Sequence, residues 1–194
     1  IMADVGLIHL VHEMMPLLEI HVSTQLHIHN VEQIGMLRDL GVKRVVLARE
    51  LSLEEISQFP DDLDIEVFVH GALCISYSGQ CLFSSFLMHR SGNRGECAQI
   101  CRLPFQLLEN GKPVFTKGSF LLSTKDLNTS NRFQDLMNSN VTSFKIEGRM
   151  KSPAYVGFMT QFYRRLISRF QREKQIFVDS QDTTKAALLF GRGF

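Results

Sequence analysis

The stretch Glu66-Val-Phe-Val-His-Gly-Ala-Leu-Cys-Ile-Ser-Tyr-Ser-Gly-Gln-Cys81 joins an apolar, strand-like run to the first two cysteines of the chain. The other two cysteines follow in Asn93-Arg-Gly-Glu-Cys-Ala-Gln-Ile-Cys101, and the overall spacing is C-x6-C-x15-C-x3-C. Thiolates brought together in this way bind a soft metal ion or an iron–sulfur cluster. We therefore expect the rest of the chain to act as a scaffold for these four sulfur atoms.

Three states of the four cysteines fit this spacing. A [4Fe-4S] cluster accepts ligands from separate loops and therefore tolerates unequal spacing. A structural zinc ion also takes four thiolates, but it prefers short C-x2-C pairs, which the sequence lacks. Four free, buried thiols are the third state, and the spacing alone leaves all three open.

The composition describes an ordinary globular chain of 194 residues, 44% hydrophobic and 21% charged, with enough apolar side chains for one sizeable core. The sequence contains no apolar run long enough to cross a bilayer, and no signal-peptide pattern opens it. Clustered cysteines of this kind are typical of a reducing compartment, which predicts a cytoplasmic protein. Since residue 1 is Ile and the last residues lack a helix cap, we expect a fragment, 1–194, that is truncated at both ends.

Charge is distributed unevenly along the chain. Residues 1–88 contain 12 Asp/Glu and 4 Lys/Arg, whereas residues 89–194 contain 17 Lys/Arg and 8 Asp/Glu. A basic half favours a polyanionic partner such as RNA. The alternative is two solvated surfaces of opposite sign, because the distribution shows where charge lies and not what binds to it.

Apolar strand-like runs alternate with helical patterns, which is typical of an α/β fold. Strands are predicted at residues 1–4, 18–22, 44–48, 64–70 and 142–147, and the final stretch, 176–194, is predicted as one or two further strands. Five strands are too few to close an eight-stranded barrel. We therefore expect part of a (β/α)8, TIM-barrel-like fold, with an open α/β sheet as the alternative. The Asn110-Gly111 pair predicts a hairpin, and hence a small β insertion at residues 102–120.

The cysteine segment resembles the U32 peptidase family, also called collagenase-like proteases. The family signature is E-x-F-x-x-G-[SA]-[LIVM]-C-x4-G-x-C-x-[LIVM]-S. It is matched by nine residues here: Glu66, Phe68, Gly71, Ala72, Leu73, Cys74, Gly79, Cys81 and Ser84. Phe83 departs from it, replacing the usual aliphatic residue. Residues 90–102 and 144–152 also look like the family, and the resemblance covers nearly the whole chain.

This resemblance implies a function that the family name does not describe. Similar members are RNA-modifying hydroxylases: tRNA hydroxylation proteins, which form 5-hydroxyuridine at the wobble position with prephenate, and a 23S rRNA cytidine hydroxylase. Several members bind a [4Fe-4S] cluster through four cysteines. The resemblance therefore implies that Cys74, Cys81, Cys97 and Cys101 bind such a cluster, with zinc as the alternative. The expected partners are tRNA or rRNA and prephenate, together with a related subunit in a homo- or heterodimer; a U32 peptidase is the alternative function.

Polar residues at the predicted strand ends complete the candidate site. We expect four of them to act in catalysis, namely Glu50, His70, Lys145 and Glu147. Five residues are expected to bind substrate: Gln25 and Arg149 at strand ends, and Arg90, Arg94 and Arg102, which surround the cysteines. Arginine and lysine suit carboxylates and phosphates, but an internal ion-pair network explains the strand-end charges equally well.

A peptidase site has less support in the residues. The sequence contains neither a H-E-x-x-H zinc motif nor a G-x-S-x-G elbow. His70 lies four residues before Cys74, so the two can be imagined as a nucleophile pair.

Overall fold

The computed structural model describes residues 1–149 and 151–190 as an α/β fold. The helices are α1 (Val5–Met14), α2 (Glu32–Asp39), α3 (Leu53–Ile56), α4 (Phe83–Met88), α5 (Phe133–Met137), α6 (Pro153–Glu173) and α7 (Ser180–Phe190). The strands are β1 (Ile20–Val22), β2 (Val42–Val46), β3 (Asp64–Ala72), β4 (Leu108–Glu109), β5 (Lys112–Pro113), β6 (Asp126–Asn128) and β7 (Val141–Ile146). No helix in this described part of the chain has the length and apolar character needed to span a membrane.

The main sheet is mostly parallel. Strands β1, β2 and β3 lie side by side in chain order, and β7 also pairs with β3 in parallel. Strand β6 is antiparallel and pairs only with the carboxyl end of β3, where His70 lies opposite Asn128. The predicted α/β class is therefore confirmed. The strands of residues 1–149 and 151–190 do not close into a barrel.

The sheet has one apolar face and one polar face because side chains alternate along each strand. On β3, Ile65, Val67 and Val69 are buried in the main core. Glu66 and Phe68, between them, are only partly buried. Buried side chains of α1, α2, α5 and α6 complete the core, so the helices cover the apolar face.

Polar side chains bond backbone N–H groups at or just before the starts of three helices. Before α2, the Gln33 N–H donates to Asn30 Oδ1 and the Asn30 N–H donates to Gln33 Oε1. Ser52 forms a capping box with Glu55 at α3. At α6, Ser152 is the N-cap and Pro153 the first residue. These side chains satisfy N–H groups that have no partner within the helix.

The hairpin expected within residues 102–120 is present. Strands β4 and β5 pair antiparallel around Asn110 and Gly111, whose φ values are 50° and 77°. Two consecutive residues with positive φ are what a type I′ turn requires.

Three secondary-structure predictions are wrong. The final stretch is not a strand, because α7 occupies Ser180–Phe190 and packs against α6; residues 191–194 lie outside the described residues. Residues 1–4 form only an isolated parallel bridge between Met2 and Val22. His70 does not end its strand, because β3 continues to Ala72.

Candidate functional site

A cavity of about 580 Å³ lies at the carboxyl ends of the parallel strands, beneath the cysteine segment. In α/β folds, this edge of the sheet is where ligands bind. All four cysteines line the cavity, together with six other residues that were predicted as site residues: Gln25, Glu50, Arg102, Lys145, Glu147 and Arg149. The fold therefore brings most of the predicted site together in one place.

All four cysteines are free thiols. Burial raises the pKa of the Cys74 thiol, and the neighbouring Cys81 and Cys101 act in the same direction. Burial also raises the pKa of Cys101, with Cys97 and Cys81 adding to the effect and the Arg102 guanidinium opposing it. These mutual effects link all four thiols electrostatically. Each thiol lies close enough to another to influence its ionisation.

Cys97 receives two hydrogen bonds at its sulfur. The Ser84 hydroxyl donates to Cys97 Sγ at 3.8 Å and the Gln99 N–H donates at 3.4 Å. Ser84 is buried, and its own oxygen accepts the N–H of Ala98 at 2.9 Å. Donors aimed at a sulfur stabilise its thiolate form, which is the form that binds metal.

The four thiols line the cavity, and Cys74 and Cys81 lie within hydrogen-bonding distance of each other. Across residues 1–149 and 151–190, no three His, Cys, Asp or Glu side chains converge on a position for a single metal ion. Four thiolates are the donor set that a [4Fe-4S] cluster takes, and a lone zinc ion takes the same set.

Hydrogen bonds fasten the loop between Cys74 and Cys81 to the strand ends. The Ser78 N–H and hydroxyl donate to Glu50 Oε1 at 2.8 and 3.3 Å, and His27 Nδ1 contacts the Ser78 carbonyl at 2.7 Å. Gly79, with φ of 68°, packs so closely on Gln25 that a Cβ atom would overlap the Gln25 carbonyl. Glu50 and Gln25, predicted as catalytic and substrate-binding residues, thus also hold the loop that bears the cysteines.

The strand ends contribute cations to the cavity lining, and these cations are partly paired. Arg49 donates to the Ala72 carbonyl at 2.7 Å, lies 3.6 Å from Glu147 Oε2 and stacks 4.0 Å from the centre of the Phe68 ring. Burial lowers the pKa of Arg49, which Glu147 partly counteracts. Lys145 Nζ lies 3.1 Å from Glu66 Oε1. These pairs hold the strand-end charges in defined positions around open space.

The three arginines of the cysteine segment differ in position. Arg102 donates through its guanidinium to the carbonyls of Leu73 and Thr124, so it joins the cysteine segment to the chain before β6. Arg90 and Arg94 are exposed and do not line the cavity. Contact between these two residues and a substrate would therefore occur outside the cavity.

His70 is fully buried behind the cavity and does not line it. Its Nδ1 lies 3.1 Å from the Tyr163 hydroxyl, which donates to the Val69 carbonyl at 2.9 Å. Burial lowers the pKa of His70 to about 4, and the nearby Lys151 adds to the effect. His70, predicted as a catalytic residue, thus lies outside the cavity lining and contacts Tyr163.

Sequence reasoning overlooked Arg49, Ser78 and Ser84. Arg49 directly follows the strand predicted at residues 44–48 and precedes Glu50, so the strand-end rule that selected Glu50 applies to it equally. Ser84 is part of the matched signature, but nothing in its sequence position indicates that it reaches Cys97. Ser78 carries no sequence signal, because its role depends on the fold of the loop.

Comparison with known proteins gives a consistent result. The model of peptidase family U32 matches residues 1–194. The chain is 42% identical, over 90% of its length, to a 23S rRNA 5-hydroxycytidine synthase of Escherichia coli, of which the match covers 26%. It is 37% identical over its full length to the tRNA hydroxylation protein P of Helicobacter pylori strain J99, covering 49% of that protein. It is 34% identical, over 78% of its length, to a collagenase of Porphyromonas gingivalis, covering 40%.

The chain thus spans between about a quarter and a half of the length of these relatives. No solved structure matches the chain significantly.

Proposed function

Since the chain belongs to peptidase family U32, we propose that it is the cluster-binding part of an iron–sulfur-dependent RNA hydroxylase. The observation that carries the proposal is the placement of four free thiols on the wall of one cavity that strand-end cations also line. Two relatives are named for hydroxylated rRNA and tRNA, which supports an RNA substrate.

In this proposal, Cys74, Cys81, Cys97 and Cys101 hold a [4Fe-4S] cluster, and zinc is the alternative occupant. When bound, the cluster supplies electron-transfer and Lewis-acid chemistry at the cavity wall. The chain's own residues support that role. Ser84 and Gln99 donate hydrogen bonds to the Cys97 sulfur, and the Arg102 guanidinium lowers the cost of negative charge at Cys101.

The strand-end residues bind and orient the substrates. Lys145, held by Glu66, presents a cation for a carbonyl or carboxylate oxygen. Glu147 accepts the Arg149 N–H at 3.0 Å and lines the cavity, so we assign it the proton that leaves the base carbon. Glu50 and Gln25 keep the cysteine loop in place. His70, buried behind the cavity, supports the wall through Tyr163 and takes no part in proton transfer.

Replacing a base C–H by C–OH oxidises the base by two electrons. The reaction therefore needs an oxygen donor and an acceptor for those two electrons. We propose prephenate as a co-substrate that binds in the cavity, because its carboxylates suit the cations Arg49, Lys145 and Arg149 that line it. We further propose uridine at the tRNA wobble position as the target, with rRNA as the alternative substrate.

The four parallel strands lie in the order that a segment of a (β/α)8 barrel would have, and we propose that such a barrel is completed elsewhere, by further chain or by a related subunit. The free thiols suit a reducing compartment, so we place the protein in the cytoplasm.

A peptidase is the second candidate, supported by the name of the collagenase relative. A Cys74–His70 nucleophile pair would need the imidazole within hydrogen-bond reach of the thiol. His70 instead contacts Tyr163 in the core and does not line the cavity to which Cys74 contributes. The geometry therefore gives this pair no support.

Two experiments test the proposed function. Anaerobic purification of the full-length protein should give a brown sample with bound iron and sulfide, and Cys81→Ser should lose both. Nucleoside mass spectrometry of tRNA and rRNA from a deletion strain should show the loss of one hydroxylated pyrimidine. A colourless zinc protein that cleaves gelatin, from a strain whose RNA is fully hydroxylated, would refute the proposal.

A further inference from the structure

The segment that carries the cysteines and the hairpin, residues 74–125, combines exposed aromatic rings with exposed cations. Phe86 on α4, Phe115 after β5 and Phe120 are 82%, 93% and 62% exposed, and Tyr77, between Cys74 and Cys81, is 62% exposed. We call these four rings, together with the exposed cations Arg90, Arg94, Lys112, Lys117 and Lys125, the aromatic–basic surface.

The segment that contains the aromatic–basic surface carries a net positive charge. Residues 67–125 contain six Lys/Arg and only two Glu, whereas the chain before them is strongly acidic. A local excess of cations attracts a polyanion and raises its rate of encounter. The aromatic–basic surface is therefore complementary in charge to a phosphate backbone.

Contacts connect the chain beside Phe120 to the cavity wall. Phe83 lines the cavity and stacks on Phe105, with 6.1 Å between ring centres and 23° between planes. The Phe105 N–H donates to the Ser119 carbonyl at 2.6 Å, next to Phe120. The chain that bears the exposed rings is thus anchored directly on the rim of the cavity. A polymer with one unit in the cavity would pass over it.

We propose that the aromatic–basic surface binds RNA as an unpaired strand, with bases stacked on the exposed rings and phosphates held by the exposed cations. This inference rests on the proposed RNA hydroxylase function and adds how the RNA is held. A base inside a duplex cannot reach an atom at the bottom of a cavity, so the target nucleotide must be unpaired or extruded. Aromatic platforms beside a basic track are the usual means of holding such a strand.

Exposed aliphatic residues near the surface, among them Leu82 and Leu87 on α4, also fit a protein partner. The lysines argue against that occupant, because Lys is depleted from the cores of protein interfaces. Lys112 and Lys117 lie within five residues of Phe115, so a protein covering that ring would have to desolvate or avoid both charges. RNA, in contrast, contacts the rings through its bases and the cations through its phosphates.

The test measures RNA binding by fluorescence anisotropy with the full-length protein. A short labelled single-stranded RNA is compared with the same sequence in a duplex. The double variant Phe115→Ala/Phe120→Ala removes two exposed rings, and Lys112→Ala/Lys117→Ala removes two cations. The matched controls are Phe177→Ala, which removes a ring that is 64% exposed between α6 and α7, and Arg164→Ala on the exposed side of α6.

We expect the aromatic double variant to bind the single strand at least about tenfold more weakly, because each stacked base contributes about 1–3 kcal/mol. The lysine double variant should reduce the slope of log affinity against log salt by about 1–2. Both controls should bind as the unsubstituted protein does.

Equal affinity of all variants for the single strand would overturn the inference, as would equal binding of single strand and duplex. If the surface variants instead lose self-association in sedimentation while RNA binding is retained, the surface binds protein and the inference is wrong. Binding needs no turnover. Loss of affinity in the ring variants of a protein that hydroxylates no RNA would therefore support this inference and refute only the proposed reaction.

Discussion

The carboxylate of Glu50 accepts the backbone N–H of Ser78 at 2.8 Å, across 28 residues of sequence. Glu50 follows β2, whereas Ser78 lies between the first two cysteines, so this bond joins the strand ends to the loop that bears Cys74 and Cys81. The Ser78 hydroxyl also contacts the same oxygen at 3.3 Å. Glu50 is therefore in place to position the thiols, whether or not it touches substrate.

Replacing Glu50 tests this positioning role. Glu50→Ala should lower the free energy of unfolding by about 1–3 kcal/mol, because the Ser78 N–H loses a charged acceptor. Glu50→Gln keeps an oxygen acceptor and should cost less. Urea unfolding measures stability, and iron content measures the site. Glu54→Ala, an exposed glutamate on α3, is the control. Wild-type stability and iron content in an inactive Glu50→Ala protein would make Glu50 catalytic instead.

Glu50 also shows how far sequence reasoning reaches. Strand and helix order could be predicted because apolar periodicity and capping residues are local signals, and the strand-end rule then placed Glu50, Lys145 and Glu147 at one edge. His70 satisfied the same rule and lies in the core instead. Its strand runs two residues longer than its apolar pattern, because β6 pairs with that end. Such long-range pairing has no local signal.

The strand prediction for the end of the chain, residues 176–194, is wrong for a related reason. The apolar run Ile176-Phe-Val178 has strong strand propensity, so 176–194 was predicted as strand. Ile176 and Val178 are instead packed against the main core outside any strand, and α7 follows. Arg165 on α6 binds Asp182 at 2.7 Å, which helps to hold α7 against α6. Tertiary packing overrides propensity in short segments.

Gly79→Ala should be strongly destabilising. A Cβ atom at Gly79 would overlap the Gln25 carbonyl, and φ is 68°. The positive φ costs about 1–2 kcal/mol and the overlap about 1–3 kcal/mol more. Gly111→Ala is the matched control, because its φ is 77° and nothing lies within 4 Å of the added atom. Equal losses of stability in chemical unfolding would show that Gly79 is needed only for its backbone angle.

Ser84→Ala should alter the electronic properties of the cluster in the proposed holoprotein. The hydroxyl donates to Cys97 Sγ, and hydrogen bonds to ligating sulfur favour the more negative, reduced state. Their loss should shift the reduction potential to a lower value, which redox titration of the reconstituted protein measures. Ser85→Ala is the neighbouring control, since that hydroxyl bonds the Arg90 carbonyl and no sulfur. An unchanged potential in Ser84→Ala would show that this hydroxyl only supports the backbone at Ala98.

The buried imidazole of His70 should make the protein less stable in mild acid. Its pKa is about 4 in the folded protein, lowered mainly by burial, against an ordinary value of 6.5. As the pH falls from 6.5 towards 4, His70 is therefore protonated in the unfolded chain but stays neutral in the folded protein. The contribution is fully present above pH 6.5 and is lost across that range, by about 3 kcal/mol in all. The midpoints of urea unfolding at pH 7, 6 and 5 measure this loss of stability.

The His70→Phe variant lacks the titrating group, so its stability should fall less steeply as the pH falls. Loss of the Tyr163 contact lowers the stability of this variant at neutral pH. Parallel pH profiles for the two proteins would show that other groups, and not His70, govern the response to acid.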